Sequence, residues 1–202
     1  MFVVEINKNS LYAIKYDDEH DEFENNEFEE DNSPKDEFRR LFNNWSDIEY
    51  LDAFFEKHQS DLQKEFYNYI SIEDAIQQTI DEADNLEQKL ISISENGKTD
   101  NSENLDNLFK PLNNREQSVY PIPDYQENKV YGDEHKSWIR IYAIRIEKNV
   151  FIVTGGAIKL VKKMSEREHL KNELIKLDKV KEFLISEGII DNDGIVEYLE
   201  LR

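Results

Sequence analysis

The chain has no cysteine. This excludes a disulfide scaffold, a thiol nucleophile and every cysteine-based zinc or iron–sulfur site. Histidine is scarce, with four residues, His20, His58, His135 and His169. None stands at a ligand spacing, and no His-Glu-x-x-His is present. No metal and no cofactor is therefore expected. Glycine is scarce too, with six residues in 202. A phosphate-cradling loop needs several glycines leading directly into a helix. Here Gly155-Gly156 is only a pair, better read as a bulge or a close backbone approach. No nucleophile elbow is present for serine–histidine–acid chemistry. No apolar run nears the ~18 residues of a membrane span. Met1-Phe-Val-Val-Glu-Ile lacks the basic start and apolar stretch of a signal peptide. A cytoplasmic protein that does not enter the membrane is expected.

Basic residues are the largest deficit. Lysine and arginine total 25 against 45 acidic residues, a net charge of −20. Such a balance opposes indiscriminate binding to nucleic acid or anionic lipid. The charge is unevenly spread, however. Residues 1–133 hold 33 acidic and 12 basic residues, whereas residues 134–202 hold 12 and 13. Within residues 136–181 there are 12 basic residues against 5 acidic ones, a net of +7. At the other extreme, Asp17 to Asp31 holds ten carboxylates and no lysine or arginine. That run reads as a solvated acidic loop over 17–35. It could also compete with a polyanion for the basic segment.

Phe2-Val-Val-Glu-Ile6 and Leu11-Tyr-Ala-Ile-Lys-Tyr16 read as a β-hairpin. Phe38, Leu41 and Phe42 have helical spacing. Ser46 or Asp47 caps a second helix, with Ile48, Leu51, Phe54 and Phe55 inward. A short amphipathic piece follows around Leu62 and Phe66. The clearest helix runs from Ser71 to about Ser94, with an apolar stripe through Ile72, Ile76, Ile80, Ala83, Leu86 and Leu90. Leu105 to Pro111 is a short element, and residues 113–135 form an irregular insert. Ser137 to Ile146 then alternates with a period of two. Trp138, Arg140, Tyr142, Ile144 and Ile146 share one face, with Ile139, Ile141, Ala143 and Arg145 on the other. Val150 to Thr154 is the returning strand. A helix capped at Ser165 carries Leu170, Leu174, Leu177, Val180 and Leu184, and Asp193 caps a last one. Residues 1–202 thus read as a single α+β domain. It has an antiparallel sheet with an N-terminal β-hairpin, helices packed on one side and a C-terminal helix.

The residue types that bear chemistry are cations. Lys136, Arg140, Arg145, Lys159, Lys162, Lys163 and Arg167 sit on or beside two strands and the start of one helix. Arg140 lies inside a strand between Trp138 and Tyr142, where it either snorkels to the sheet edge or lines a polar face. Lysines near a helix N-terminus oppose the helix dipole, so an anion would explain them. Solvated surface lysines are the plain alternative.

The order Trp138-Ile-Arg-Ile-Tyr-Ala-Ile-Arg145, turn, Val150–Thr154, Gly155-Gly156, Lys159, Lys162-Lys163 and helix resembles the C-terminal half of RelE/HigB-type toxins. Leu108-Phe-Lys-Pro-Leu112 is similar to the element that precedes those strands. The match runs from about Leu105 to Leu184. The resemblance implies a RelE-like fold with insertions and an endoribonuclease that cuts mRNA on the ribosome, held by an antitoxin protein. It implies attack by the RNA 2′-hydroxyl, with phosphorane charge stabilised by cations. Arg140, Lys159, Lys162 and Lys163 are then the catalytic candidates, with Tyr142 and His169 as proton-transfer partners. Lys136, Arg145 and Arg167 are the RNA-binding candidates. Three readings remain open. One is such a toxin, inactive or held in check by an antitoxin or its own acidic run. Another is a non-catalytic acidic protein that uses the same scaffold to engage a protein partner. The third is an independent α+β fold, which a different neighbour for the first strand or a core sheet that is not antiparallel would favour.

Overall fold

The computed structural model describes residues 1–17, 35–64, 67, 69–96, 103–112, 126–132 and 137–202. The acidic run beyond Asp17, the candidate Lys136 and most of the insert lie outside these residues.

Strands β1 (Phe2–Asn7) and β2 (Leu11–Lys15) form the expected hairpin. Asn9 takes a left-handed φ of 57° at the turn, a conformation that asparagine tolerates. Helix α1 (Glu37–Ser46) starts at Asp36, whose side chain accepts from the Arg39 N–H. Asp47 caps α2 (Ile48–Lys57) in the same way. The four-residue helix α3 (Gln59–Leu62) follows. Ser71 opens α4 (Ile72–Asn96), its Oγ accepting from the Asp74 N–H. After α5 (Leu105–Leu108) come strands β3 (Lys110–Pro111) and β4 (Gln126–Tyr131). Strands β5 (Ile139–Glu147) and β6 (Val150–Ile158) lead through a 3-10 turn (Met164–Glu166) to α6 (Glu168–Ser186) and α7 (Asn192–Glu200).

The six strands form one sheet in the order β1-β2-β6-β5-β4-β3. Every neighbouring pair is antiparallel except β2 and β6, which run parallel. The sheet is therefore mixed, where period-two patterning suggested an antiparallel one. The return path from β2 to β6 passes through all of α1–α5, so nothing local sets its direction.

Helices α1–α5 pack on one face. Their Phe38, Trp45, Leu51, Phe55, Leu86 and Leu105 meet Leu11, Ile139, Ile141 and Val153 from the sheet. The C-terminal helices cover the other face, where Leu177, Val180, Leu184 and Ile195 meet Tyr12, Tyr142, Ile144 and Ile152. Burial of such side chains supplies about 1.5–3 kcal/mol each against chain entropy.

Five local expectations change. Ile48, expected inward on α2, is 63% exposed, because it stands at the first position of the helix and the buried stripe runs through Leu51 and Phe55. Residues 126–131 form a strand inside what reads as an irregular insert. Trp138 precedes the ladder and turns to the helical face. There it donates Nε1–H to Thr79 Oγ1 at 2.8 Å and stacks edge-on against Phe55. Helix α6 starts with no side-chain cap, Ser165 lying within the 3-10 turn. Asp191, not Asp193, caps α7 by accepting from the Gly194 N–H.

Gly155 and Gly156 lie inside β6 next to a register shift opposite Tyr142 and Ala143. A Cβ on Gly155 would overlap Glu173 Oε2 of α6. One on Gly156 would lie 2.6 Å from the Arg140 carbonyl oxygen and 2.8 Å from Leu41. Both glycines thus allow close approach, which accounts for the pair without a ligand. Glu173 belongs to a buried cluster with Glu37, Lys176 and Arg40. Burial would raise the Glu37 carboxyl, but Arg40 and Lys176 outweigh it and hold it at about 2. Glu173 is raised by its own burial, and its Oε2 has no hydrogen-bond partner.

Candidate nucleic-acid interface

Sheet register decides which cations share a surface, because residues directly opposite in a ladder project from the same face. Tyr131 of β4 stands opposite Arg140 of β5, which stands opposite Ala157 of β6. One row along, Lys110 of β3 stands opposite Lys129, Lys129 opposite Tyr142, and Tyr142 opposite Gly155. Tyr142 packs with Leu177 and Val180 of α6, so these rows lie on the α6 face. Helix α6 covers β6 and β5 and reaches Glu127 of β4 through Lys181, but among the described residues it does not cover the Lys129–Tyr131 end of β4. Lys129 and Arg140 are half-buried there, and Tyr131 is 38% exposed.

Arg140 is the centre of the patch. Its guanidinium carbon lies 4.1 Å from the centroid of the Tyr131 ring, and Nη1 donates to its neighbour's carbonyl, Ile139 O, at 2.6 Å. Lys129 Nζ approaches the same ring to 5.4 Å. Among the described residues no carboxylate forms an ion pair with Arg140, Lys129 or Lys159. Burial lowers the pKa of Arg140, against the opposing pull of Tyr131 and Tyr142. A guanidinium keeps its charge regardless. Lys159 follows β6 and folds back so that Nζ donates to the carbonyls of Val161 and Lys162, each at 2.6 Å. Burial, then repulsion from Arg140 and Lys129, lowers its pKa. Tyr67 steadies this stretch, its hydroxyl donating to Lys159 O at 3.4 Å.

Of the nine sequence-derived candidates, Arg140 and Lys159 come together here. Tyr142 lies in the floor but is 1% exposed, and burial followed by Glu173 pushes its phenol well up. Lys162 and Lys163 are exposed on the adjoining loop. Lys136 lies outside the described residues. Arg145 faces the other way and forms a two-pronged ion pair with Asp106 of α5, Nε to Oδ1 at 2.6 Å. Arg167 is likewise held by Asp61, with Nη2 to Oδ1 at 2.6 Å. These two arginines are structural ties between elements. His169 donates Nε2–H to Ile158 O at 3.1 Å, and its ring packs against Phe54 and His58. Burial lowers its pKa, and its ring contacts are with Phe54 and His58 rather than with the residues of the basic patch.

Two cations and one aromatic in this patch escaped the sequence reading: Lys110, Lys129 and Tyr131. The available signal was Lys129-Val-Tyr131, alternating polar and apolar, but Val130 is the lone apolar core residue of β4. Among the described residues no group of three histidines or carboxylates is arranged to hold a metal ion. No described helix is long and apolar enough to cross a membrane. No protein-family model, curated protein or solved structure matches this chain.

Proposed function

We propose that the chain is an RNA-binding endoribonuclease of the RelE/HigB toxin type, with its site on the open part of the α6 face. One observation carries the reading. Arg140, Lys129 and Lys159 gather on one surface without carboxylate partners among the described residues, in a protein of net charge −20. Where cations serve the fold in this molecule, as Arg145 and Arg167 do, an acid lies against them. A half-buried cluster of cations with no ion-paired carboxylate among the described residues is costly for folding alone and complementary to phosphate.

In this reading the chemistry is transesterification within the RNA. The 2′-oxygen forms a bond to the adjacent phosphorus, and the bond from phosphorus to the 5′-oxygen breaks. The products are a 2′,3′-cyclic phosphate and a 5′-hydroxyl. Arg140 and Lys129 stabilise the charge that builds on the phosphoryl oxygens. Lys159, with its lowered pKa, takes the 2′-hydroxyl proton, and water protonates the leaving oxygen. Activity then rises with pH up to the Lys159 pKa, which lies below the ordinary lysine value. His169 and Tyr142 take no part in this scheme. An antitoxin that covers the basic face would be its physiological partner.

The test is induced expression in bacteria of wild type and Arg140→Ala, reading growth and mRNA integrity. Growth arrest with mRNA cleavage, both lost in the variant, supports the proposal. Normal growth with intact mRNA in the wild type favours the alternative of a non-catalytic partner-binding protein.

A further inference from the structure

The basic face carries an aromatic ring that charge neutralisation alone does not require. Tyr131 stands on β4 directly opposite Arg140. The guanidinium backs its ring at 4.1 Å, and Lys129 approaches the ring to 5.4 Å. Strand β3 pairs only as far as Lys129, so among the described residues no further strand flanks β4 at Tyr131. The residue is 38% exposed and belongs to neither hydrophobic core. Tyr12, Tyr142 and Phe151 of the same sheet are each no more than 1% exposed, whereas Phe2, on the far edge strand β1, is 40% exposed and lies under Arg202, away from the patch. A partly exposed ring with a guanidinium against it and a second cation beside it is an arrangement on which proteins stack an unpaired base.

We propose that Tyr131 is a nucleobase platform. An unpaired base of the bound RNA stacks on its ring, while Arg140 and Lys129 hold the flanking phosphates. The inference rests on the RNA-binding reading of the same face and adds to it the residue that selects single-stranded over duplex substrate. A base inside a duplex has both faces stacked and cannot reach the ring. The cation behind the ring strengthens the stack by polarising it. Because every base has a π-face, this platform favours unpaired RNA without fixing its sequence.

The experiment uses the purified full chain and a short single-stranded 2′-O-methyl RNA carrying one 2-aminopurine. The 2′-O-methyl group removes the nucleophile, so binding is read without cleavage. The same backbone with abasic sites, and the matched duplex, are the comparison probes. Tyr131→Leu keeps bulk without an aromatic ring, and Tyr131→Phe keeps the ring. The expected result is a roughly tenfold weaker affinity of Tyr131→Leu for the single strand. Its affinity for the abasic strand is unchanged, and the 2-aminopurine quenching seen with wild type is lost. Tyr131→Phe behaves as wild type. Equal weakening toward both single strands would assign Tyr131 to holding Arg140 and overturn the platform. So would unchanged quenching in Tyr131→Leu, or duplex binding as tight as single-strand binding. Arg140→Gln separates the two ideas. If it binds every probe as tightly as wild type, the RNA-binding reading falls, whatever Tyr131 does.

Discussion

The two faces of the sheet hold the two arginines of β5 differently. On the helical face, Arg145 is tied to Asp106, and the outer surfaces of α2 and α4 display Glu49, Asp52, Glu56, Glu73, Asp74, Asp81 and Asp84 to solvent. On the α6 face, Lys129, Arg140 and Lys159 stand without acidic partners among the described residues. Arg140 and Arg145 lie five positions apart on one strand, yet Arg145 is ion-paired with Asp106, whereas Arg140 rests on Tyr131 and Ile139 O with no ion-paired carboxylate among the described residues. Net charge averaged over the chain conceals this division. A protein of net −20 can still present a local field that attracts a polyanion, since exposed charges beyond roughly 10 Å are largely screened at moderate salt.

Substitutions on strand β5 break the comparison most sharply. Trp138→Ala empties the site packed by Phe55 and Tyr67 and leaves Thr79 without its donor. It is expected to cost about 3–5 kcal/mol, seen as a large drop in thermal midpoint. Arg140→Ala, two residues on, is expected to change stability by less than about 1 kcal/mol, since it removes a cation with no ion-paired carboxylate among the described residues. On the proposed function it is expected to abolish RNA cleavage, so the two variants would separate fold from function within one strand.

The glycine pair gives the next effect. Gly155→Ala is expected to destabilise by about 1–3 kcal/mol because its Cβ overlaps Glu173 Oε2. In a double-mutant cycle with Glu173→Ala, the penalty falls by at least about 1 kcal/mol, because the second change vacates the contested space. Additive penalties in denaturant titrations would show that the strain lies in the backbone instead.

Acid distinguishes the buried groups by window. His58 is held at about 4 by burial and then by His169, whereas an unfolded chain takes up that proton near 6.5. Between those values the unfolded state binds more protons, so stability falls as pH falls from about 6.5 to about 4. Glu37 adds a lower window: its stabilisation is present above 4.5 and is lost as pH falls toward about 2. Unfolding free energy measured against pH should show both. His58→Gln should shrink the upper window to the part that His169 contributes and leave the lower one unchanged.

The smallest effect is on salt dependence. Lys129→Gln should lower the slope of log affinity for RNA against log salt by about 1 while weakening binding to all sequences alike. Lys171→Gln should leave the slope unchanged, because Lys171 pairs with Glu168 on α6.

Most elements were legible because their signals are local. Asp36, Asp47 and Ser71 cap helices from within one turn, and Ile139, Ile141 and Ala143 share a face by period two. Strand β4 was hidden because Gln126-Glu-Asn-Lys-Val-Tyr131 gives the core only Val130 among its apolar residues, and so lacks an alternating stripe. The site was half legible for the same reason. Arg140 and Lys159 flank recognisable strands, whereas Lys110, Lys129 and Tyr131 join them only through ladder register. The roles of Arg145 and Arg167 depend on Asp106 and Asp61, which are 39 and 106 positions away in sequence. No spacing rule reaches across such distances. The parallel β2–β6 pair is equally non-local.

The most direct test of the central claim compares the two arginines of β5. The affinity of purified protein for a short single-stranded RNA is measured at several salt concentrations for wild type, Arg140→Gln and Arg145→Gln, with thermal unfolding as a control. The account predicts that Arg140→Gln weakens binding at least about tenfold and retains the wild-type midpoint. It predicts that Arg145→Gln binds as wild type and unfolds at a slightly lower temperature. Equal affinity for all three proteins, or no salt-dependent binding by the wild type, would contradict it.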